Sequence, residues 1–189
     1  MAHARSPRLL VALVVVLFAL PPATALGAPA AKRKQPCANT KLAPAAGNLP
    51  TVRAAVLCLH NRERSARGLA PLREHRRLRK AAEAHASDMV AAGYFSHDAP
   101  SGEDMVDRIL GTGYARGAGW SLGENIGYGT GPLATAAQIH RSWMRSPGHK
   151  ANIVKPQFRE IGIGIALGAP VDAQGLAGAT YTADFGVRR

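Results

Sequence analysis

The sequence predicts an α+β fold in which helices pack on a small antiparallel sheet. Apolar residues recur at helical spacing through most of the chain. By contrast, the late stretches "EIGIGIAL" and "ATYTADFG" alternate as strands do, and a loop containing Gly and Pro joins them. Helices that come first and strands that come late are typical of this class.

Residues 1–25 are predicted to be a secretory signal peptide. Arg5 and Arg8 precede an apolar run from Leu9 to Leu20, and "ATA" then supplies an Ala-x-Ala cleavage site. The run is shorter than the roughly 20 apolar residues of a membrane span. A retained N-terminal anchor is the alternative. The sequence therefore indicates a secreted or extracellular protein, and association with the cell envelope fits equally well.

Residues 26–47 are rich in Ala, Pro and Lys and are expected to form a flexible tether ahead of a domain at 48–189. Cys37 lies in this tether and Cys58 in the first helix. Export to an oxidising compartment favours a disulfide between them, and two free thiols are the alternative. A disulfide would fasten the tether to the domain.

The chain carries a formal net charge of +12. Such a charge favours anionic partners, such as wall polymers or membrane surfaces. Nucleic acid is a poor candidate, because no nucleic-acid-binding module is visible and aromatic residues are sparse. Much of the charge, as in "REHRRLRK", is also explained by a solvated helix face.

Two early helices are predicted from apolar spacing. The first contains Val52 and Leu59 and ends before Gly68. The second begins near Glu74 and ends at Gly93, with one face toward the core; that face carries Leu78, Ala82, His85 and Met89.

Two further helices are predicted from their first residues. Ser101 with Asp104 resembles a capping box, and Pro132 suits a first helical turn. This last helix is expected to end at Pro147 and Gly148, which would place His149 in a turn. In the strand "EIGIGIAL" the two glycines share a face, so a helix or ligand could approach the sheet closely there.

The histidines divide into two groups. His85 and His140 lie on faces assigned to the core, and His60 belongs to "HNRER", in which Asn61 and Arg64 are expected to bind backbone groups. His97 and His149 follow helix ends instead, so they are better placed to face a cleft. Sequence separation alone does not show that these two meet.

Glu124 in "LGENIGYG" is the acidic candidate for the same cleft, with Asn125 available to bind local backbone groups. Two imidazoles and one carboxylate would suit a divalent metal ion such as Zn²⁺. The same three residues could perform general acid–base chemistry. Alternatively, Glu124 pairs with one of the many arginines.

The sequence "GWSLG" matches G-x-S-x-G around Ser121. A nucleophile elbow needs a strand before the serine and a helix after it, and the glycine-rich sequence on both sides predicts neither. The chain contains no H-E-x-x-H, Walker loop or C-x-x-C pair. None of these patterns therefore points to a catalytic class, and a nucleophile elbow around Ser121 is not favoured.

Five motifs in order resemble the CAP superfamily, in particular its secreted bacterial branch, the SCP domains. They are "HNRER", "YFSH", "GENIGYG", "SWMRSPGHKANI" and "EIGIGI…DFG", and they extend from about Leu49 to Gly186. The resemblance implies a three-layer α–β–α sandwich, in which a small antiparallel sheet is flanked by helices around a central cleft.

The resemblance also implies site residues. His97, Glu124 and His149 match the cleft histidines and one glutamate, and Asn125 and Asn152 match structural positions within two of the motifs. In animal and plant members a second glutamate lies three residues after the helix tryptophan, where this chain has Ser146. The lost carboxylate implies weaker or more pH-dependent metal binding.

The resemblance leaves three functions open. The first is an extracellular binding module whose cleft takes a divalent metal and whose apolar grooves take a lipid or other envelope ligand. The second is a secreted hydrolase that uses His97, Glu124 and His149, with Ser146 or Ser121 as nucleophile. The third is a structural or stress-related envelope protein.

Overall fold

A computed structural model of the protein describes residues 36–171, 173 and 175–188, together with Met1. The signal peptide predicted for 1–25 and the first part of the tether thus lie outside the described residues, except for Met1. Within the described part, the helices are α1 (Leu49–Ser65), α2 (Arg76–Ala92), α3 (Met105–Gly111), α4 (Ala136–Arg145) and α5 (Pro147–Ile153). The strands there are β1 (Arg73–Glu74), β2 (Trp120–Thr130), β3 (Glu160–Leu167) and β4 (Gly178–Arg188).

The strands form one sheet in the order β1-β3-β4-β2. β4 lies antiparallel between β3 and β2, whereas the two-residue β1 pairs in parallel with β3. Helices α2 and α3 cover one face of the sheet, and α1, α4 and α5 cover the other. The α–β–α sandwich is confirmed, with one short parallel pair added to the predicted antiparallel sheet.

The larger hydrophobic core lies between the sheet and α1, α4 and α5. Alternate residues of β3 and β4 point into it, and Trp143 of α4 is its largest fully buried side chain. The strand residues in this core include Ile161, Ile163, Ile165, Ala179, Tyr181, Ala183 and Phe185. Each large aliphatic or aromatic side chain buried here contributes roughly 1.5–3 kcal/mol to folding.

The opposite face of β3 has glycines in place of side chains. A Cβ atom on Gly162 would lie 2.0 Å from the backbone N of Arg79, and one on Gly164 would lie 2.2 Å from the carbonyl carbon of Ala82. The backbone of α2 therefore rests directly on the sheet. The predicted close approach is confirmed, and a helix makes it.

The predicted end of α2 at Gly93 (φ 68°) is confirmed. Two predicted helix starts, those of α3 and α4, are wrong. Asp104 alone caps α3, since its side chain accepts a hydrogen bond from the backbone N of Asp107 at 2.9 Å. Pro132 lies in a separate 3₁₀ turn, and α4 begins only at Ala136. Pro132 thus opens a helical turn, as its fixed φ favours, but not that of α4.

His149 was expected in a turn, and this prediction is wrong. The extended backbone of Ser146 (φ −88°, ψ 122°) ends α4, and Pro147 then occupies the first turn of a new helix, α5. Proline ends a helix that precedes it but favours the first turn of one that follows. His149 is therefore held on α5.

β2 was not predicted, because its glycines reduce β propensity. These glycines make room for the helices packed against the strand. A Cβ atom on Gly123 would lie 2.9 Å from Oδ1 of Asn152, and one on Gly127 would lie 3.0 Å from Nε1 of Trp143. The glycine-rich sequence thus indicates a strand covered at close range.

The disulfide between Cys37 and Cys58 is formed, with the two Cα atoms 5.7 Å apart. It fastens residues 36–47 of the expected tether to α1, and the backbone N of Ala137 donates to the carbonyl of Thr40 at 2.8 Å. The folded unit begins at Pro36. None of the described helices is both long enough and apolar enough to cross a membrane.

Candidate functional site

Glu124 is the buried centre of the candidate site. It projects from β2, an edge strand, toward α2 and α3, and its side chain is only 2% exposed. Its Oε1 lies 2.7 Å from Nδ1 of His97, and its Oε2 accepts a hydrogen bond from Nη2 of Arg108 at 3.0 Å. Both carboxylate oxygens are therefore bound by the protein, and Glu124 does pair with an arginine.

Arg108 of α3 also fixes the loop that carries His97. Its Nη2 donates to the carbonyl of His97 at 2.7 Å, and its Nη1 donates to the carbonyl of Glu103 at 3.0 Å. Because the guanidinium is buried, these bonds and the ion pair to Glu124 replace its hydration. One buried cation thus positions both the carboxylate and the histidine.

His97 is the exposed member of this group, since half of its side chain (50%) is accessible. The hydrogen bond to Glu124 is the largest cause that raises the pKa of His97 above its ordinary value. Arg108 and His97 counter the effect of burial and hold the pKa of Glu124 below its ordinary value. The ionised carboxylate accepts the Nδ1 proton, so Nε2 of His97 is left for a ligand.

His149 reaches the site from the other face of the sheet. Nδ2 of Asn125 donates to the carbonyl of His149 at 3.0 Å, and Nδ2 of Asn152 donates to the carbonyl of Glu124 at 3.0 Å. Burial and then the charge of His97 lower the pKa of His149. The two histidines thus interact across the edge of β2, and His149 is neutral near pH 7.

Asp184 and His85 also belong to this site, and the sequence analysis did not assign them to it. Asp184 lies opposite Glu124 in the β2–β4 pair and is fully buried. Burial and the adjacent charge of Glu124 raise the pKa of Asp184 well above its ordinary value, which favours its protonated form. Nε2 of His85 lies 4.0 Å from Glu124 and 3.0 Å from the carbonyl of Ser96.

The described residues contain no group of three His, Cys, Asp or Glu side chains arranged to hold a metal ion. Glu124, expected as a ligand, faces inward and is bound to His97 and Arg108. His97 and His149 remain as the two side chains that could contact a metal, and His97 lines a cleft of about 310 Å³ together with Glu124.

The serines considered as nucleophiles lie elsewhere. Ser121 is on β2 rather than on an elbow, and its Oγ accepts a hydrogen bond from Nζ of Lys155 at 3.2 Å. Ser146 separates α4 from α5. Among the described residues, neither hydroxyl is hydrogen-bonded to His97 or His149.

Side chains of "HNRER" bind backbone groups and in this way hold neighbouring chain segments together. The side chain of Asn61 exchanges two hydrogen bonds with the backbone of Leu72. The fully buried Arg64 donates to four carbonyl groups, those of Ala70, Ile153, Lys155 and Phe158. Arg64 thus ties α1 to the segment that joins α5 to β3.

Taken together, the α–β–α sandwich and the His97–Glu124–His149 cleft at the edge of the sheet define a class of protein. Residues 57–182 match the family described as "CAP: Cysteine-rich secretory protein family". This match covers more than half of the chain, so the chain belongs to the CAP family.

Similar proteins come from several bacteria. The chain is 36% identical over 109 residues to the uncharacterized protein YkwD of Bacillus subtilis; the match covers 58% of this chain and 40% of YkwD. An extracellular SCP-domain protein of Bacillus anthracis is similar in structure, with a TM-score of 0.55 and 26% identity, and the match covers 76% of this chain and 41% of that one. The chain thus spans less than half of either protein.

A further structural match has the same fold at lower sequence identity. It is an outer surface protein from Borrelia burgdorferi, with a TM-score of 0.55 and 18% identity, and the match covers 69% of this chain and 87% of that one.

Proposed function

We propose that this protein is an extracellular binding module whose ligand-contacting groups are His97 and His149. The observation that carries the proposal is the 2.7 Å contact between Nδ1 of His97 and Oε1 of Glu124. A buried carboxylate that orients an exposed imidazole leaves one ring nitrogen ready for a ligand. The carboxylate itself is too deeply buried to be that ligand.

A divalent metal ion such as Zn²⁺ fits the two histidines. Metal-binding histidines commonly donate their other ring N–H to a carboxylate, which fixes the tautomer and raises ligand basicity. Glu124 would have this role toward His97, and the neutral His149 would supply the second nitrogen. With only two protein ligands, water would complete the coordination, so we expect weak binding.

An extracellular location is supported by three observations. The predicted signal peptide indicates export, and the disulfide between Cys37 and Cys58 suits an oxidising compartment. In addition, the similar proteins of B. anthracis and B. burgdorferi are named as an extracellular and an outer surface protein.

A lipid partner has a weaker structural basis. A shallow groove of about 400 Å³ between α4 and α5 combines the aliphatic Met144 and Val154 with the charged Arg145 and Lys150. This combination suits an acyl chain beside an anionic headgroup. The groove is separate from the histidines, so lipid binding would not require the metal.

A hydrolase is the alternative function, and the His97–Glu124 pair favours it. A carboxylate-oriented histidine can act as a general base. Such a base needs a nucleophile within hydrogen-bond reach, and Ser121 is bound to Lys155 instead. The binding module is therefore the better-supported function, because it requires only the groups that the cleft contains.

Calorimetric titration with Zn²⁺ tests the proposal. We expect one-to-one binding that strengthens from about pH 6 to about pH 7.5, because only a neutral imidazole binds a metal. A His97→Ala/His149→Ala variant should lose this binding. The matched control is His75→Asn, which removes a histidine outside the cleft and retains a good helix cap for α2.

Two results would contradict the proposal. If the heat of zinc binding is the same in the double variant and in the parent protein, the metal binds elsewhere. If zinc does not bind at either pH value, a metal is excluded as the ligand, and the groove between α4 and α5 is the next surface to test.

A further inference from the structure

A further cavity of the described residues lies away from the cleft histidines His97 and His149. It measures about 760 Å³ and opens at the end of the sheet where β2 begins and β4 ends. Five arginines line it, namely Arg73, Arg77, Arg116, Arg159 and Arg188. We refer to this cavity as the arginine pocket.

Two of these arginines bind neutral backbone groups. The guanidinium of Arg77 donates to the carbonyl of Gly113, and that of Arg159 donates to the carbonyl of Phe158 at 3.0 Å. Carbonyl acceptors hold a guanidinium in place but leave its charge uncompensated. Both side chains are therefore fixed at the pocket as full positive charges.

Only one acidic side chain lines the arginine pocket. It is Glu160, which pairs with Arg188 at 2.8 Å. Within the described residues, Arg73 and Arg116 have no carboxylate within 4 Å, and neither do Arg77 and Arg159. Four guanidinium groups around one cavity thus have no acidic partner in the described part of the chain.

His75 lies beside the pocket, and the arginines act on it. Burial is the largest cause that lowers its pKa, Glu160 opposes this effect, and Arg188, Arg77 and Arg76 each lower the pKa further.

The pocket also offers a flat apolar surface. Trp120 is partly exposed, and its indole N–H already donates to the carbonyl of Gly117 at 2.9 Å. Its ring is thus available for packing rather than for hydrogen bonding. Arg188 lies over the buried ring of Tyr114, 4.9 Å from its centroid, and completes the wall.

The shape of the site argues against a bilayer as its partner. The exposed large apolar side chains of the described residues all lie outside the pocket, and the ring of Trp120 inside it is only partly exposed, so the surface for insertion among lipid chains is small. A concave cavity of this volume fits a discrete ligand. Guanidinium forks match phosphate oxygens in geometry and charge.

We propose that the arginine pocket binds a sugar or polyol phosphate, presented as a free ester or as a unit of a soluble anionic polymer. Arg73 and Arg116 bind the phosphate oxygens, and the ring of Trp120 packs against the sugar or polyol. The site is independent of His97 and His149, so its test does not depend on the metal.

The test is a titration of the purified protein with glycerol phosphate, with a short synthetic glycerol phosphate oligomer and with phosphatidylglycerol vesicles. Tryptophan fluorescence is the readout. The chain has two tryptophans, and Trp143 is 1% exposed, so a signal that disappears in Trp120→Phe belongs to the pocket.

The variant is Arg73→Gln/Arg116→Gln, and its control is Arg62→Gln/Arg141→Gln, which removes the same charge from exposed positions on α1 and α4. We expect saturable one-to-one binding of the oligomer, weakened roughly tenfold or more in the pocket variant and nearly unchanged in the control. Free glycerol phosphate should compete. Arg116→Gln alone, in a loop, serves if the double variant does not fold.

Three results would overturn the proposal. Equal weakening in both double variants would show attraction by net charge rather than a site. Binding to vesicles alone would make the partner a membrane, and no saturable binding of either soluble ester would exclude a phosphate site.

Discussion

Two pairs of histidines in this fold have opposite surroundings. His60 and His140 meet in the core, where their Nδ1 atoms lie 3.2 Å apart. His97 and His149 approach each other at the exposed edge of β2. The same residue type thus occurs in one molecule as a core pair and as a cleft pair.

The core pair is held neutral. Burial is the main cause that lowers the pKa of His60 well below its ordinary value and that of His140 to about 4. His60 also packs edge-on against Trp143, as a core aromatic would. Burial outweighs the groups that favour a charge here, namely the backbone of Val56 beside His60 and the carboxylate of Glu63 near His140.

The cleft pair differs through one buried carboxylate. Glu124 raises the pKa of His97, and burial, followed by the charge of His97, lowers the pKa of His149. The carboxylate fixes the tautomer of an exposed ring, and this contact is the basis on which we propose that the pair binds a ligand. A hydrogen-bonding carboxylate and an exposed ring, rather than the presence of two histidines, therefore distinguish a candidate site from a core contact.

The largest effect is expected from Arg108→Met, which leaves the buried carboxylate of Glu124 without its cation. Breaking a buried ion pair in this way should cost about 3–5 kcal/mol of unfolding free energy near neutral pH. Urea unfolding measures the loss. The double variant Arg108→Met/Glu124→Gln should lose less, and an equal loss would show that the pair is not the cause.

Acid should destabilise the protein through the core pair. The native state keeps His140 neutral while the unfolded chain binds a proton, so stability is full above about pH 6.5 and falls toward about pH 4. The loss should reach about 3 kcal/mol. The raised pKa of His97 acts oppositely, because its contribution is lost as pH rises.

The origin of this loss is checked by unfolding curves at these pH values for the parent protein and for a His60→Phe/His140→Phe variant. In the double variant the unfolding free energy should decline less as pH falls, whereas His97→Gln should leave the decline unchanged. A decline that is unchanged in the double variant would assign the acid sensitivity to other groups.

Replacing one histidine of each pair with alanine should distinguish the core pair from the cleft pair by the loss of stability. His60→Ala leaves a cavity in the core and should cost roughly 2–3 kcal/mol, whereas His97→Ala removes a half-exposed ring and should cost under about 1 kcal/mol. Thermal or urea unfolding of the two variants measures both. Similar losses would mean that His97 is structural.

The smallest effect concerns how Glu124 orients His97. Glu124→Gln keeps the shape of the side chain but weakens the hydrogen bond to Nδ1, so zinc affinity should fall roughly tenfold. Calorimetry measures it, with Glu83→Gln as the control that removes an exposed carboxylate on α2, outside the cleft. An equal loss in the control would show that the fall follows net charge rather than the contact with His97.

Local signals in the sequence predicted much of the fold. Gly93 ends α2 because a left-handed residue does so without strain, and the alternation of β3 identifies a strand with a single buried apolar face. β2 was missed because its glycines lower the local β propensity. They make room for α4 and α5, which contact the strand only after folding. Long-range packing therefore overrode local propensity.

The site was predicted less completely, for the same reason. His97, Glu124 and His149 were candidates from their local sequence, and the motif resemblance joined them in one site, but Arg108 is separated from Glu124 along the chain and meets it only when α3 docks. Asp184 had one visible signal, because it is the only charged residue within the otherwise uncharged "ATYTADFG". Its protonated state depends on Glu124 across the strand pair, which no local pattern shows.

The most direct test of the cleft is a zinc titration of protein with ¹⁵N-labelled histidine rings, followed by NMR at about pH 7.5, where neutral imidazoles bind metals. The account predicts that the signals of His97 and His149 shift together and saturate at one equivalent, with Nδ1 of His97 remaining protonated. The signals of His60 and His140 should not move. Zinc that shifts the core pair, or only one of the two cleft histidines, would contradict a shared site.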